Sequence, residues 1–245
     1  MLRFLPTTII FILGVVAFFC LQSLCHLSYL YLVIWINLFG VLQFCGAYFI
    51  GLNFHLKSVN SLNTSEKKVL LTFDDGPHEN TMGVLDVLKK YDVKAVFFII
   101  GKNIQNNEAT LKQIVADGHL IGNHSFSHHN WIDVWSTTKV TNDFSACDNL
   151  IQQFQSSKLF RPPYGVTNPN IAKAVKTLKL KSMGWNVRSY DTSIKDVDKI
   201  KHRILSQLKP GAIILLHDRL DFMPELLETL IPEIKEKGYG FAELS

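Results

Sequence analysis

The most restrictive feature of this sequence is a long stretch without a charged side chain. No Lys, Arg, Asp or Glu occurs among the 53 residues from Phe4 to Leu56. As one helix this stretch would be about 80 Å long, whereas the hydrocarbon core of a bilayer is about 30 Å thick. The stretch therefore predicts two transmembrane helices, over residues 7–24 and 29–52, with a break in the more polar segment Gln22–Ser28.

These helices predict that residues 1–56 anchor the chain in membrane lipid. The aromatic residues Tyr29, Trp35 and Tyr48 agree with this interpretation, because such rings favour membrane interfaces. A cleaved signal peptide is an alternative for the first segment, since Arg3 precedes it. However, a second apolar segment follows at once, and no clear small-residue cleavage site is present. A buried soluble hairpin is a weaker alternative, because such helices usually carry charges on one face.

The rest of the chain reads as a polar linker, residues 57–67, followed by a soluble α/β domain, residues 68–245. Short apolar runs alternate there with amphipathic runs, which is typical of a parallel sheet with crossover helices. We expect strands at residues 69–73, 95–100, 119–123, 159–161, 181–185 and 212–216. We expect helices at residues 81–91, 108–117, 138–154, 168–178, 197–208 and 224–237. About seven such units favour closure into a barrel over an open two-half sheet.

Side chains suited to catalysis lie where the predicted strands end. In an α/β barrel, the carboxyl ends of the strands form the rim on which active sites are built. The residues at or just past these ends are Asp74, Asp75, His124, Arg161, Asp191 and His217. Their shared position predicts one active site at this rim.

Two carboxylates and two imidazoles within this set predict a metal site. Asp74 and Asp75 can diverge where the chain turns away from its strand, although Asp-Gly-Pro is also an ordinary turn sequence. His124 and His128 are four residues apart and would share one face of a helical turn. Together with Asp75 they form a ligand set that suits zinc and leaves a position for water. A surface histidine-rich turn is the alternative, because His129 follows directly.

Four motifs occur in an order that resembles the polysaccharide deacetylase family, which shares the NodB homology domain and is also known as carbohydrate esterase family 4. They are Thr72-Phe73-Asp74-Asp75-Gly76-Pro77, His124-Ser125-Phe126-Ser127-His128, Arg161-Pro162-Pro163-Tyr164-Gly165 and Leu216-His217. Taken singly, the last two would indicate a loop and a structural histidine. The resemblance covers about Lys68 to the C-terminus, and it implies a distorted (β/α)7 barrel of NodB type.

The resemblance also implies a role for each motif residue. A divalent metal, with Zn²⁺ first and Co²⁺, Ni²⁺ or Mn²⁺ as alternatives, would be held by Asp75, His124 and His128. Asp74 would be the general base, kept in its charged form by Arg161, and His217 the general acid. The backbone N–H of Tyr164 would stabilise the oxyanion. The expected substrate contacts are Pro163, Tyr164, Trp185, Arg188 and Leu216.

The segment expected to carry the fourth motif departs from the family pattern. The family usually has Asp residues and a Trp there, whereas this chain has Arg188 about where an Asp is expected and Thr192 directly after Asp191. Asp191 could still orient His217. Arg188 would either pair with Asp191 or meet an anionic part of the substrate. The departure bears on sugar specificity rather than on the metal chemistry.

Together these features predict a metal-dependent hydrolase that removes N-acetyl groups from amino-sugar glycans, either peptidoglycan N-acetylglucosamine or a chitin-like oligosaccharide, and releases acetate. One alternative is a deacylase of a lipid-linked sugar or an O-acetylated glycan at the membrane. A weaker one is a non-catalytic glycan-binding membrane protein, which would not need the complete set of motif residues. The net charge of +4 and the absence of a basic stripe do not indicate a nucleic-acid partner.

A cell-wall substrate predicts a location in the bacterial cytoplasmic membrane, with the catalytic domain on the outer face. The charges that flank the apolar segments, Arg3, Lys57, Lys67 and Lys68, would instead place the domain in the cytoplasm by the positive-inside rule. Large domains can cross the membrane regardless of a few charges, so we expect the outer face.

Overall fold

The computed structural model describes residues 3–244 and shows a helical hairpin followed by an α/β domain. The α-helices are α1 Phe4–Cys25, α2 Tyr29–Tyr48, α3 Thr81–Lys90, α4 Glu108–Ala116, α5 Thr137–Ile151, α6 Pro169–Thr177, α7 Val197–Ser206 and α8 Met223–Glu236. The strands are β1 Lys68–Gly76, β2 Ala95–Ile99, β3 Leu120–Asn123, β4 Leu159–Phe160, β5 Lys181–Ser182, β6 Val187–Arg188, β7 Ile213–His217 and β8 Gly240–Phe241.

Helices α1 and α2 form an antiparallel pair, and each is long and apolar enough to cross a membrane. The Nε1–H of Trp35 donates to the carbonyl of Phe11 at 3.2 Å, and the ring lies against Gly14, where a Cβ would collide with it. The predicted second helix extended to residue 52, but α2 ends at Tyr48. The difference arises because Phe49 leaves the helical conformation (φ −107°, ψ 86°) and a short 3-10 turn follows.

The strands form one curled parallel sheet in the order β5-β4-β3-β2-β1-β7-β6, with β8 pairing with the start of β1. The central strand β1 lies between β2 and β7, and its register places Asp74 beside Phe98 and His217. The sheet is open between β5 and β6, so it forms a half-barrel. The predicted α/β barrel-like architecture is therefore confirmed.

Alternation along β1 divides its side chains between two buried surfaces. Leu71 and Phe73 pack into the main core beneath the outer helices, whereas Leu70 packs with Val96 and Phe98 on the inner side. Because side chains alternate along a strand, Asp74 shares the inner side with Leu70. The fold thus directs the first carboxylate of the pair into the barrel.

The segment between the hairpin and β1 packs against the open edge of the sheet. Val59 pairs with Met183, and Ser61 pairs with Ala212 near the base of β7. The hydroxyls of Ser58 and Ser182 are buried and 2.8 Å apart. These contacts connect the end of β5 to the start of β7, so the segment predicted as a linker makes specific contacts with the sheet. The division at residues 56/57 and 67/68 stays a prediction.

Two strands were not anticipated from the sequence. β6 and β8 are each two residues long, too short to produce a recognisable alternation of apolar and polar residues. β6 nevertheless extends the sheet beyond β7 and carries Arg188 to its edge.

We predict that residues 57–62 contribute to the stability of the α/β domain. A fragment of residues 63–245 loses the Ser58–Ser182 hydrogen bond and the pairing of Val59 and Ser61, whereas residues 57–245 keep them. We expect both fragments to fold, with the shorter one melting about 5 °C lower by calorimetry. Ser58→Ala in the longer fragment isolates the hydroxyl contact. Equal melting temperatures of the two fragments would contradict the prediction.

Candidate active site

A β-bulge at the end of β1 brings both neighbouring carboxylates to the same cleft. Asp74 pairs with Phe98 and Gly76 with Ile99, so Asp75 is the extra residue on β1. Its φ of 76° lies in the left-handed region, which is costly for a residue other than glycine. Bulges re-aim side chains in this way at the edges of active sites. The bulge explains how consecutive residues can serve one site.

The candidate metal ligands come together at the carboxyl ends of β1 and β3. Oδ1 of Asp75 lies 3.7 Å from Nε2 of His124 and 3.4 Å from Nε2 of His128. The two histidines were expected on a helical turn, but Ser125 and His128 have positive φ values and form a loop. The hydroxyl of Ser125 accepts the His128 N–H at 2.9 Å and fixes this loop.

The chemistry of these three side chains fits a divalent cation. One ligand atom from each residue lies within 4.8 Å of the others. Nδ1 of His124 is 2.8 Å from the carbonyl of Arg161, and because a carbonyl only accepts, Nδ1 carries the proton and Nε2 is free to coordinate. Burial and the nearby His124 lower the pKa of His128 to about 4, so this imidazole is neutral at pH 7. Neutral imidazoles and a carboxylate are typical zinc ligands.

Asp75 is held in place from the side opposite the histidines. Burial raises the pKa of Asp75, but the three surrounding imidazoles, His124, His217 and His128, and the guanidinium of Arg219 outweigh burial and lower it overall. Nε of Arg219 donates to Oδ2 of Asp75 at 2.8 Å. Oδ1 therefore remains directed toward the imidazoles.

Asp74 forms an ion pair with Arg161 in the barrel interior. Nη1 of Arg161 donates to Oδ1 of Asp74 at 2.7 Å and to the hydroxyl of Thr72 at 2.9 Å. The other donors of the fully buried guanidinium reach the carbonyls of Met183 and Gly184. Oδ2 of Asp74 lies 3.8 Å from Nε2 of His124. The carboxylate is therefore positioned beside the candidate metal ligands.

His217 forms a second polar pair with Asp191 across the cleft. Nδ1 of His217 is 2.9 Å from Oδ1 of Asp191, and the backbone N–H of His217 donates to Oδ2 at 2.8 Å. Burial alone would lower the pKa of His217, but the hydrogen bond and the charge of Asp191 raise it overall. The expected partnership of Asp191 and His217 is thus present in the structure, and it leaves Nε2 free.

Tyr164 closes the site beside His128. Its ring lies 4.6 Å from the His128 ring, and its hydroxyl donates to Oδ1 of Asn130 at 2.8 Å. Tyr164 has a φ of 60° within the short 3-10 turn Pro163–Gly165. Gly165 also has a positive φ, and the Trp185 ring lies so close that a Cβ at this position would collide with it. The turn therefore brings Tyr164 and Trp185 to the same wall of the cleft.

The cleft has a volume of about 510 Å³ and is lined by most of the predicted site residues. Of the predicted substrate contacts, Tyr164, Trp185 and Arg188 line it, whereas Pro163 and Leu216 do not. Leu216 is fully buried in the main core. The reason is alternation along β7, which places Leu215 on the same side as His217. Leu215 is the residue that lines the cleft.

Arg188 is an exposed cation at the cleft wall. Its guanidinium lies 4.7 Å from the Tyr190 ring and 5.8 Å from the Trp185 ring. Asp191 is engaged by His217, and within residues 3–244 no carboxylate forms an ion pair with Arg188. The expectation that Arg188 pairs with Asp191 is therefore wrong, and the expectation of an anionic substrate group stays a prediction.

Three further residues of the site were missed in the sequence. Arg219 contacts Asp75, Nδ2 of Asn103 donates to the carbonyl of Asp75 at 2.9 Å, and Lys102 lines the cleft. Each follows closely on the end of β2 or β7. Their position just past strand ends could have indicated them by the same argument that selected His217.

Comparison with known proteins gives consistent results. A family model described as polysaccharide deacetylase matches residues 61–183, half of the chain. A peptidoglycan-N-acetylglucosamine deacetylase of Bacillus cereus is 33% identical over 187 residues, covering 74% of this chain and 68% of the relative. PdaA of Bacillus subtilis, named a peptidoglycan-N-acetylmuramic acid deacetylase, is 33% identical over 190 residues, covering 74% and 72%.

The length of the relatives varies. PgdA of Listeria monocytogenes, a peptidoglycan-N-acetylglucosamine deacetylase, is 32% identical over 185 residues. The match covers 74% of this chain but only 38% of PgdA. This chain therefore spans well under half the length of that curated relative.

Solved structures show the same fold. A pseudoenzyme of carbohydrate esterase family 4 from Bacillus anthracis superposes with a TM-score of 0.70 at 28% identity, covering 76% of this chain and 66% of that chain. The peptidoglycan deacetylase PdaC from Bacillus subtilis gives 0.67 at 29% identity, covering 74% and 89%. The observed half-barrel is thus the NodB-type fold that the motifs implied, and the chain belongs to the polysaccharide deacetylase family.

Proposed function

We propose that this chain is a membrane-anchored, metal-dependent hydrolase that removes N-acetyl groups from a cell-wall amino-sugar glycan and releases acetate. The observation that carries the proposal is the grouping of three sets of side chains at and directly beneath one cleft. These are the Asp75–His124–His128 cluster, the Asp74–Arg161 pair and the His217–Asp191 pair. The names of the relatives support peptidoglycan as the substrate class.

Asp75, His124 and His128 would hold the cation, with Zn²⁺ preferred for two imidazoles and a carboxylate. When bound, such an ion polarises a carbonyl and makes water more acidic. The protein fixes the His124 ring through the carbonyl of Arg161 and the backbone of His128 through the hydroxyl of Ser125.

Asp74 is the proposed base. Its Oδ1 is occupied by Arg161, and Oδ2 faces the metal ligands. As water attacks the acetyl carbonyl, a C–O bond forms and the water proton passes to Asp74. The N–H of Tyr164 is the proposed donor to the developing oxyanion, and its value is greatest in the transition state.

His217 is the proposed acid. Asp191 holds Nδ1, so Nε2 is the position from which a proton can be given to the departing amine. Cleavage of the C–N bond leaves an amine, which departs poorly unless it is protonated. The products are the free amino sugar and acetate.

A non-catalytic glycan-binding role is the second candidate, because one similar solved structure is described as a pseudoenzyme. Two substrates would use the same site chemistry: an O-acetylated glycan and a lipid-linked sugar. The complete set of base, acid and metal ligands in this chain favours catalysis. Acetate release from a chitin oligomer separates these possibilities.

The membrane setting rests on the apolar hairpin. α1 and α2 are each long and apolar enough to span a membrane, and few of their residues are buried within the protein. We propose that they lie in the bacterial cytoplasmic membrane with the α/β domain on the outer face, where the wall glycan is located. An antiparallel hairpin returns both of its ends to that face.

Substitutions at Asp74, Asp75 and His128 separate metal binding from catalysis. Asp75→Ala and His128→Ala should lose most bound metal, because each removes one of three ligands. Asp74→Asn should retain metal but lower kcat by a factor of about 10² to 10⁴, since it removes the base. Metal content by mass spectrometry and acetate release are the measurements. Equal metal content in all three variants would contradict the assigned roles.

The pH profile tests His217. The acid must be protonated, so kcat/KM should fall as the pH rises through the pKa of His217. Asp191→Asn removes the charge that raises this pKa while burial, which lowers it, remains. The fall of kcat/KM at alkaline pH, the alkaline limb of the profile, should therefore begin at a lower pH. Asp198→Asn, at an exposed position on α7, is the control and should leave the limb in place. An unmoved limb in Asp191→Asn would argue against His217 as the acid.

Arg188 tests the nature of the glycan. If it binds an anionic group, Arg188→Gln should lower kcat/KM at least tenfold more for a carboxylate-bearing peptidoglycan fragment than for neutral chitotetraose. Arg188→Lys keeps the charge and should recover part of the difference. An equal loss of kcat/KM on both substrates would show that Arg188 does not recognise the charge of the substrate.

A further inference from the structure

The end of the helical hairpin is attached to the rim of the candidate active site. The backbone N–H of Thr167 donates to the carbonyl of Ala47 at 2.9 Å, and its hydroxyl donates to the carbonyl of Gly46 at 3.2 Å. Thr167 is buried and lies three residues after Tyr164, in the loop that joins β4 to α6. The last turn of α2 is therefore beside the loop that carries Tyr164.

A second loop of the rim is connected to the same place. Nδ2 of Asn168 donates to the carbonyl of Asp133 at 2.6 Å, and Nδ2 of Asn170 donates to the carbonyl of Trp135 at 3.0 Å. Asp133 and Trp135 belong to the loop that follows the candidate ligand His128. Both rim loops on this side of the cleft thus lie next to the end of α2.

Two apolar side chains project from this second loop. Trp131 is 67% exposed and Val134 is 70% exposed, whereas Ile132 between them is buried in the core with Leu56. Asp133, the acidic residue of the same turn, is only partly exposed. The buried Ile132 fixes the turn, so exposure of the two apolar residues is a property of its folded shape.

We propose that Trp131 and Val134 form a lip that enters the interfacial layer of the bilayer in which α1 and α2 are anchored. The inference rests on the proposed membrane anchoring, because it requires α2 to leave the bilayer where it meets Thr167. Tryptophan favours this layer, and Val134 adds apolar area. Nζ of Lys139 lies 3.8 Å from the centre of the Trp135 ring and supplies a cation near the lip, which suits anionic phospholipid headgroups.

The position of the lip favours lipid over sugar as its partner. Aromatic residues that could stack on a bound sugar, Tyr164, Trp185 and Tyr190, line the cleft, whereas Trp131 and Val134 do not. In this arrangement the cleft lies at the membrane surface. Its substrate is then glycan close to the bilayer and not polymer in the outer part of the wall.

The test uses the full chain in vesicles of phosphatidylcholine and phosphatidylglycerol, with part of the phosphatidylcholine brominated on its acyl chains. Bromines at carbons 6 and 7 should quench Trp131 more than bromines at carbons 11 and 12, because the lip is shallow. Trp35, inside the hairpin, provides an internal reference for anchoring. Trp131→Phe should remove the shallow component of quenching, whereas Trp185→Phe, in the cleft, should leave it unchanged.

A second pair of variants checks the lip without altering any tryptophan. Val134→Asp should weaken the shallow quenching of Trp131, because a carboxylate is poorly tolerated in the interfacial layer. Met82→Asp is the matched control, since Met82 is an exposed apolar residue on α3, a helix that packs against α8. It should leave the quenching as in the unmodified protein.

The outcomes are distinct. If Trp131→Phe leaves the shallow quenching intact while Trp35 is still quenched, the lip proposal is overturned and anchoring stands. If no tryptophan is quenched, both are overturned. If Trp131 escapes bromolipid and Trp131→Ala weakens binding of soluble chitotetraose, the residue belongs to a glycan surface and the lip proposal is overturned. The readout does not depend on turnover, so failure of the proposed catalysis is recognised separately.

Discussion

The candidate site depends on the interactions of the buried Arg161 guanidinium, above all its ion pair with Asp74. The guanidinium joins Asp74 on β1 to the carbonyls of Met183 and Gly184 after β5, and thus spans the interior of the half-barrel. The backbone carbonyl of Arg161 fixes the ring of His124. Removing one partner of a buried ion pair typically costs about 3–5 kcal/mol, so loss of the Arg161 side chain would disturb the proposed base Asp74 and the packing across the half-barrel together.

Much of the fold could be predicted because long elements have a clear period. The boundaries of α3 to α8 agree with the sequence within a few residues, and the reason is their amphipathic spacing. The rim of the candidate active site could also be predicted, because Asp74 and His217 come directly after apolar runs in the sequence. The two-residue strands β6 and β8 could not, since a period needs more residues than they contain.

Local backbone geometry accounts for the remaining differences. The left-handed backbone of Asp75 is held by a contact distant in sequence, the hydrogen bond from Asn103 to its carbonyl. The loop before His128 is likewise held by the Asp143 carboxylate, which accepts from the N–H groups of Phe126 and Ser127. Spacing alone suggested a helical turn at His128. By contrast, the choice of Leu216 over Leu215 was avoidable, because alternation from His217 already selects Leu215.

The packing of Ser58 and Val59 against β5 limits how far the α/β domain can move from the hairpin. A flexible chain of about fifteen residues would let a domain range over roughly 20 Å. Here part of that segment is held against the sheet. The distance over which the domain can move away from the hairpin is therefore short. If the hairpin is anchored in the membrane as proposed, the catalytic domain cannot reach glycan far from the bilayer. It samples a thin layer by diffusing laterally, and its rate depends on how often glycan is delivered to that layer.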